Sequence, residues 1–292
     1  DGLWPSPKQL LLLKAGLCGP EVAPDAMRQW LEQHDTTEPI DAASLRLIPL
    51  VHTNLASADI EHPLMERFAT VSRMTRMKTL GIVREVDPVL EALTQAQVPV
   101  LVLKGLHLGS EYYAKPEARP MSDIDIAVPP HCAERANEAL SALGYQRDYP
   151  DKPFTTVRRI HHASSYSCPG KADSDLHWRI MPLKNEAATD APFWRDAEPW
   201  ELNGVNVKVL SPTHLLYHTI IHGVRWNPLP PLRWIADAMI QLRTDKNRLQ
   251  WDDMVRLARA QRTTHRLARG LRYLQTRFAL DAPEEVLASL ES

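Results

Sequence analysis

The chain has 292 residues, enough for one large or two modest domains with a sizeable core. Hydrophobic residues make up 44% and charged residues 24%, which excludes a disordered or fibrous chain, and a formal net charge of −2 gives no global field to hold a long nucleic acid or an anionic membrane. No apolar run approaches the roughly 20 residues that span a bilayer, the opening Asp1-Gly-Leu-Trp-Pro5 has no basic and apolar leader, and Cys18, Cys132 and Cys168 form no CxxC pair; together these predict a cytoplasmic protein without membrane contact.

Residues 1 to 97 read as helical throughout. Ser6-Pro7 is a cap and first-turn pair for a helix over Gln9 to Lys14. A second helix is expected over Asp25 to Gln33, and a third over Asp41 to Val51 with a break at Pro49. Leu64, Phe68, Val71, Met74, Met77, Leu80, Val83, Val86 and Leu90 recur at three- and four-residue steps and predict one long amphipathic helix. It leads into a strand over Val98 to Leu103.

Residues 98 to 210 alternate strand and helix signals. A Lys104-Gly105 turn opens a short helix over Leu106 to Tyr113. Met121 to Val128 reads as a strand, and His131 to Leu143 as a helix stopped by Gly144. Two strands, His161 to Cys168 and Asp175 to Ile180, are expected around a polar turn, and Asn203-Gly204 between apolar runs marks a hairpin. From Ser211 to the end the pattern is helical again. The expected class is α+β: a helical region over 1–97, a small mixed-sheet core over 98–210 and a helical domain over 211–292.

The chemistry is concentrated in the middle segment. Residues i and i+2 of a strand share a face, so Asp123 and Asp125 project together while Ile124 and Ile126 pack behind them. Adjacent carboxylates repel unless a cation lies between them, and the common solution is a hard divalent ion with oxygen ligands. Phosphate chemistry with two metals calls for a further carboxylate. Asp175, sharing a strand face with His177 and Arg179, is the best candidate, whereas Asp173 reads as a solvated turn residue. A strand adjacent to the first, at about 4.8 Å, would bring Asp175 within bridging reach.

These residues resemble a known family. Leu103-Lys104-Gly105, then Tyr112-Tyr113, then Arg119-Pro-Met-Ser-Asp123-Ile-Asp125, then Asp175-Leu-His-Trp178, look like the LKG, RxMSDxD and D-L-H-W pattern of the bacterial uncharacterised nucleotidyltransferases, within the DNA polymerase β-like superfamily. The run from Ser211-Pro212 through His218, His222 and Leu232-Arg-Trp-Ile-Ala-Asp237 is similar to that family's helical part. The resemblance implies a polymerase β-like core in which Asp123 and Asp125 hold two Mg²⁺ ions and Asp175 is the third metal and catalytic carboxylate, activating an acceptor hydroxyl. It implies an NTP as co-substrate, with the Lys104-Gly105 turn cradling its triphosphate. The position normally Gly or Ser is Leu106 here, so phosphate binding would rest on Lys104 and on backbone N–H groups at a helix start. Arg119, Ser122, His177 and Lys208 are further candidates for contact with the nucleotide. The LKG pattern also resembles that of nucleotidyltransferase toxins, which keeps tRNA among the possible acceptors beside a small molecule or peptide.

Other constellations have plainer readings. His218 and His222 are spaced i,i+4 but lack the glutamate of HExxH, which leaves structural hydrogen bonding or a place near the substrates. Arg233 and Asp237, also i,i+4, would pair with each other or stand in a cleft wall. His161 and His162 are consecutive and point to opposite faces of a strand, so they do not chelate one ion together. Trp194, Trp200, Trp226, Trp234 and Trp251 read as core or cleft aromatic residues. Arg256, Arg259, Arg262, Arg266, Arg269, Arg272 and Arg277 read as solvated helix faces, with an RNA backbone as the alternative.

Overall fold

The computed structural model describes residues 2–181, 190–280 and 282–292. It divides into two units, each drawing on separate stretches of chain. A helical unit comprises Asp1–Met77, Leu108–Pro120 and Leu216–Ser292; a sheet unit comprises Lys78–His107 and Met121–Leu215. The chain therefore passes between units at four points.

In the helical unit, Ser6 caps α1 (Pro7–Leu17) through a reciprocal bond with Gln9, the capping box that satisfies two backbone donors. α2 (Ala23–Glu32) follows, and the break expected at Pro49 separates α3 (Ala42–Leu45) from α4 (Ile48–Asn54), with the proline in the first turn of α4, where its missing N–H costs nothing. Leu12, Leu13, Met27, Trp30, Ile48 and Val51 are all fully or almost fully buried.

α5 (Pro63–Gln95) runs from one unit into the other. The expected apolar stripe holds at its ends, since Leu64, Phe68, Val86 and Leu90 are buried, but Met74, Met77 and Leu80 are exposed. The reason is geometric. Each residue advances about 100°, so every three-residue step falls about 60° short of a full turn and the stripe wanders off the buried face. Small polar Ser72 and Thr79 take the inward positions there.

The sheet unit holds seven strands among the described residues, in the order β3-β4-β5-β2-β1-β7-β6. These are β1 (Leu101–Val102), β2 (Asp123–Ala127), β3 (Gln146–Arg147), β4 (Ala163–Ser167), β5 (Asp173–His177), β6 (Glu198–Leu202) and β7 (Val205–Val209). Pairings are antiparallel except for β1 with β7 and β2 with β5, which gives the mixed sheet and α+β class expected. The β6–β7 turn is Asn203-Gly204, both at positive φ (50° and 84°), the backbone that a two-residue hairpin requires and that Asn-Gly tolerates. Between β1 and β2 lies α6 (Lys104–Glu111), which also passes between units. α7 (Ala133–Ala142) connects β2 to β3 and stops before Gly144, whose φ of +88° suits a residue without Cβ. α8 (Phe154–Ile160) and the short strand β3 carry no strong sequence signal.

One face of the sheet is apolar. Val102, Ile124, Ile126, Tyr166, Leu176, Val207 and Val209 pack with Val86, Leu90 and Leu93 of α5, with Ala136 and Leu140 of α7, and with Phe154 and Val157 of α8. By alternation, Asp123, Asp125, Asp175 and His177 project from the opposite face. After β5 come α9 (Ala191–Arg195) and α10 (Pro212–Gly223), and then the helices of the C-terminal stretch: α11 (Arg233–Thr244), α12 (Trp251–Ala260), α13 (Thr264–Phe278) and α14 (Glu284–Glu291).

Residues 108–120 are held in the helical unit by buried polar bonds. Arg119 donates from Nε and Nη2 to the two carboxylate oxygens of Asp237, at 2.8 and 2.9 Å, and Tyr113 donates its hydroxyl to the same group at 2.7 Å. Tyr112 reaches Asp245 at 2.6 Å, and Arg233 donates to the Pro120 carbonyl at 2.6 Å. Asp237 thus pairs with Arg119 instead of the Arg233 one turn away on α11. Both charges are nearly sealed from water, the Arg119 side chain being 1% and the Asp237 side chain 4% exposed. Removing one partner of such a pair leaves an uncompensated buried charge. Asp237→Ala should therefore lose about 3–5 kcal/mol of unfolding free energy in a urea titration; an unchanged midpoint would mean that this pair does not hold the segment.

Candidate metal and nucleotide site

The pairing of β2 with β5 builds the site. In register, Asp123 lies opposite Asp173, Asp125 opposite Asp175, and Ala127 opposite His177. Asp173, expected in a turn, is an exposed residue of the strand itself. Ligand atoms of Asp125, Asp175 and His177 all lie within 4.8 Å of one another, forming the one group of three such residues found among the described residues. Asp123 sits two residues before Asp125 on the same strand face and is outside that group.

The electrostatics of this cluster invite a cation. Two carboxylates at such a separation repel by roughly 3 kcal/mol at an effective dielectric constant of about 20. Asp125 and His177 are mostly covered, with side chains 14% and 9% exposed, and His177 Nε2 lies 3.4 Å from Asp125 Oδ1. The other ring nitrogen of His177, Nδ1, is buried with no hydrogen-bond partner among the described residues. Two carboxylates and an incompletely bonded imidazole make a donor set that fits a divalent ion. Carboxylates suit Mg²⁺ or Mn²⁺, and the imidazole nitrogen favours the softer of the two.

Lys104 and Gly105 begin α6 next to this cluster. The Leu103 N–H donates to the Asp125 carbonyl at 3.0 Å, so the helix start is fixed to the carboxylate strand by the residue just before it. The Leu106 side chain is 2% exposed and joins the apolar core. A leucine at the position expected to be small therefore leaves the backbone there unobstructed by its side chain. Ser122 is exposed immediately before β2. Lys208 is exposed on β7, and its register partner on β1 is Leu101, itself paired with Ala127. It thus shares the sheet face of His177 but stands three strands away, roughly 14 Å by strand spacing.

Arg119 carries the expectation of a phosphate contact. It belongs to the helical unit, and its charge is neutralised there by Asp237. The basic stretch near the C-terminus is also largely committed within that unit. Arg256 pairs with Asp253, Arg259 donates to Ser289, Arg272 bonds Glu284 and Glu291, and Arg269 lies over the Trp4 ring. The rings of His218 and His222 approach to 5.1 Å on α10.

His162, set aside in sequence as half of a chelating pair with His161, lies beside His177 of the cluster. As expected, His161 and His162 diverge: His161 stacks on Tyr149, whereas the His162 ring lies 5.7 Å from that of His177. Burial, reinforced by the positive fields of His177, His161 and Lys104, pushes the His162 imidazole down to about 4. Its neutral form thus contributes stability that is present above the ordinary value of 6.5 and is lost as pH falls through about 4. His162→Gln should flatten the decline of melting temperature between pH 6.5 and 4 in metal-free buffer; a decline identical to wild type would show that His162 is not held neutral.

Comparison with curated proteins gives no match. Among solved structures, the antibiotic-resistance factor ANT(2'')-Ia is similar at 12% identity and a TM-score of 0.41, over 65% of this chain and 96% of that one. An antigenic nucleotidyltransferase-like protein from Paracoccidioides brasiliensis is similar at 14% identity and a TM-score of 0.44, over 68% of this chain and 93% of the other. At these values neither likeness bears on the chemistry of the present site. The profile of the family described as uncharacterised nucleotidyltransferase matches residues 42–279, which include both paired strands and the start of α6. The chain belongs to this nucleotidyltransferase family.

Proposed function

We propose that the protein transfers a nucleoside monophosphate from an NTP to an acceptor hydroxyl on a small molecule or peptide, releasing pyrophosphate. The observation that carries this reading is the convergence of Asp125, Asp175 and His177 on one sheet face in a member of a nucleotidyltransferase family. Asp123, Asp125 and Asp175 are the carboxylates proposed to hold divalent metal, with Mg²⁺ as the cellular choice and room for two ions if Asp123 takes part. When bound, the metal would polarise the α-phosphate and neutralise charge on the departing pyrophosphate.

The remaining work falls to the chain's own groups. An Asp175 carboxylate oxygen would accept the proton of the acceptor hydroxyl as its oxygen attacks phosphorus in line with the leaving pyrophosphate. Backbone N–H groups at the start of α6, the Lys104 ammonium and the Ser122 hydroxyl would hold the triphosphate oxygens. Gly105 lets that backbone approach the phosphates closely. His177 would orient Asp125 and complete the metal shell. Lys208, farther along the same face, would meet the outer end of the nucleotide.

The experiment is transfer of label from α-labelled NTPs, supplied with Mg²⁺ or Mn²⁺, to separate pools of small-molecule acceptors, peptides and bulk tRNA. Label in the first two pools supports the proposal, and label in the RNA assigns tRNA as acceptor. Metal stabilisation of this kind supplies several kcal/mol, and about 1.4 kcal/mol is tenfold in rate, so Asp125→Asn with Asp175→Asn should cut turnover by at least about a hundredfold. Undiminished turnover in that folded double variant would remove the mechanism. Absence of ATP binding by calorimetry with Mg²⁺ or Mn²⁺ would instead mark a protein that kept the fold without the chemistry.

A further inference from the structure

A second charged site lies in the sheet unit, built by residues that the transfer chemistry does not use. A cavity of about 370 Å³ is lined by Pro130, His131, Arg158, Arg159, Trp178 and Arg179. The lining comes from the turn after β2, the last turn of α8 and the segment leaving β5. Trp178 follows His177 and belongs to the apolar core, so its side chain is directed away from the face that carries the carboxylates.

The charge of this cavity is one-sided. Among the described residues its wall has three guanidinium groups, one imidazole and no carboxylate. Arg158 is steadied by donation from Nη1 to the Pro130 carbonyl at 3.0 Å, and the backbone N–H of Arg179 by donation to the His162 carbonyl at 3.2 Å. The Arg179 side chain is a different matter. Its Nε and Nη1 are both buried and have no hydrogen-bond partner among the described residues. Asp190, the acid whose field reaches Arg179, accepts from the Ile180 N–H through Oδ2 at 3.1 Å. Its Oδ1 is buried with no hydrogen-bond partner among the described residues, and burial holds its carboxyl up at about 6, so it leaves the Arg179 donors unbonded. A buried cationic donor left unsatisfied is costly, and clustered guanidinium groups repel. One oxyanion removes both penalties. Arginine suits that role because its planar donors match phosphate geometry and it stays charged at any physiological pH.

We propose that this cavity binds the phosphate group of a small molecule, at a site separate from the metal cluster. Its volume lies near the lower end of the roughly 300–1,000 Å³ typical of ligand pockets, which suits a compact phosphate ester or a free phosphate and not a polymer. Arg179 supplies the inner donors, Arg159 and His131 stand exposed at the mouth, and Trp178 forms an apolar wall.

Calorimetric titration of the full chain tests this in buffer without divalent metal, so that the metal cluster does not contribute. The probes are inorganic phosphate, pyrophosphate and ribose 5-phosphate. Saturable binding at one site is expected, weakened at least about tenfold by Arg179→Gln and measurably by Arg159→Gln, through loss of charge-assisted hydrogen bonds. Asp125→Asn with Asp175→Asn should leave it intact, whatever that variant does to nucleotide transfer. Tighter binding of ribose 5-phosphate than of phosphate assigns a phosphate ester; equal affinity assigns the free anion. Arg159 is exposed, so its variant keeps the test open if Arg179→Gln fails to fold. The proposal is overturned if none of the probes binds the wild-type chain saturably, if Arg159→Gln binds them undiminished, or if the double Asn variant loses binding while its circular dichroism is unchanged.

Discussion

Parallel pairing of β2 with β5 is the constraint on which the candidate chemistry depends. Ile124, Ile126 and Leu176 are fully buried on one face, each contributing about 1.5–3 kcal/mol by leaving water. Because side chains alternate, the same burial obliges Asp123, Asp125 and Asp175 to emerge on the other face. A slip of one residue in either strand would move carboxylates into the apolar layer and isoleucines out of it, with a desolvation penalty of several kcal/mol per ion. The hydrophobic core therefore sets the register, and the register sets the separation of the acids. Like charges held together in this way are a standing electrostatic cost that a cation would relieve.

Charged residues meet three different fates in this protein, and the difference is one of local compensation. Arg119 and Asp237 are removed from water together, with geometry that uses both carboxylate oxygens, so the charge is balanced within the fold. Asp125 and Asp175 are partly covered beside an imidazole, with their ligand atoms within 4.8 Å of one another. Arg179 is partly covered, with its buried Nε and Nη1 unbonded among the described residues. The first arrangement is structural. The second and third are incomplete without a ligand, of opposite sign in the two cases, and that is why the metal and phosphate proposals attach to them.

The RxMSDxD motif divides along the same line. Its arginine lies in the helical unit and its aspartates in the sheet unit, with the passage between units falling at Pro120 and Met121. A linear pattern thus joins a buried ion-pair residue of one unit to the carboxylate strand of the other. Leu106 resolves in a similar way: its side chain belongs to the core, so a leucine where the resemblance to the wider superfamily implies a small residue does not by itself put a side chain in the way of a phosphate.

Local stereochemistry was legible in the sequence alone. The Ser6 cap, the Asn203-Gly204 turn, the Gly144 stop, the alternation through Asp123 to Ile126 and the helical ends of the chain depend on residues a few positions apart, and their physics is carried in that spacing. Tertiary structure alone decided which acids meet, since the pairing of Asp125 with Asp175 and the approach of His177 join residues about fifty positions apart. It also decided that Arg119 answers to Asp237, more than a hundred positions away. Each of these depends on long-range burial, where the partner that lowers the energy of a charge or an apolar side chain is distant in the chain and leaves no mark on the residues beside it.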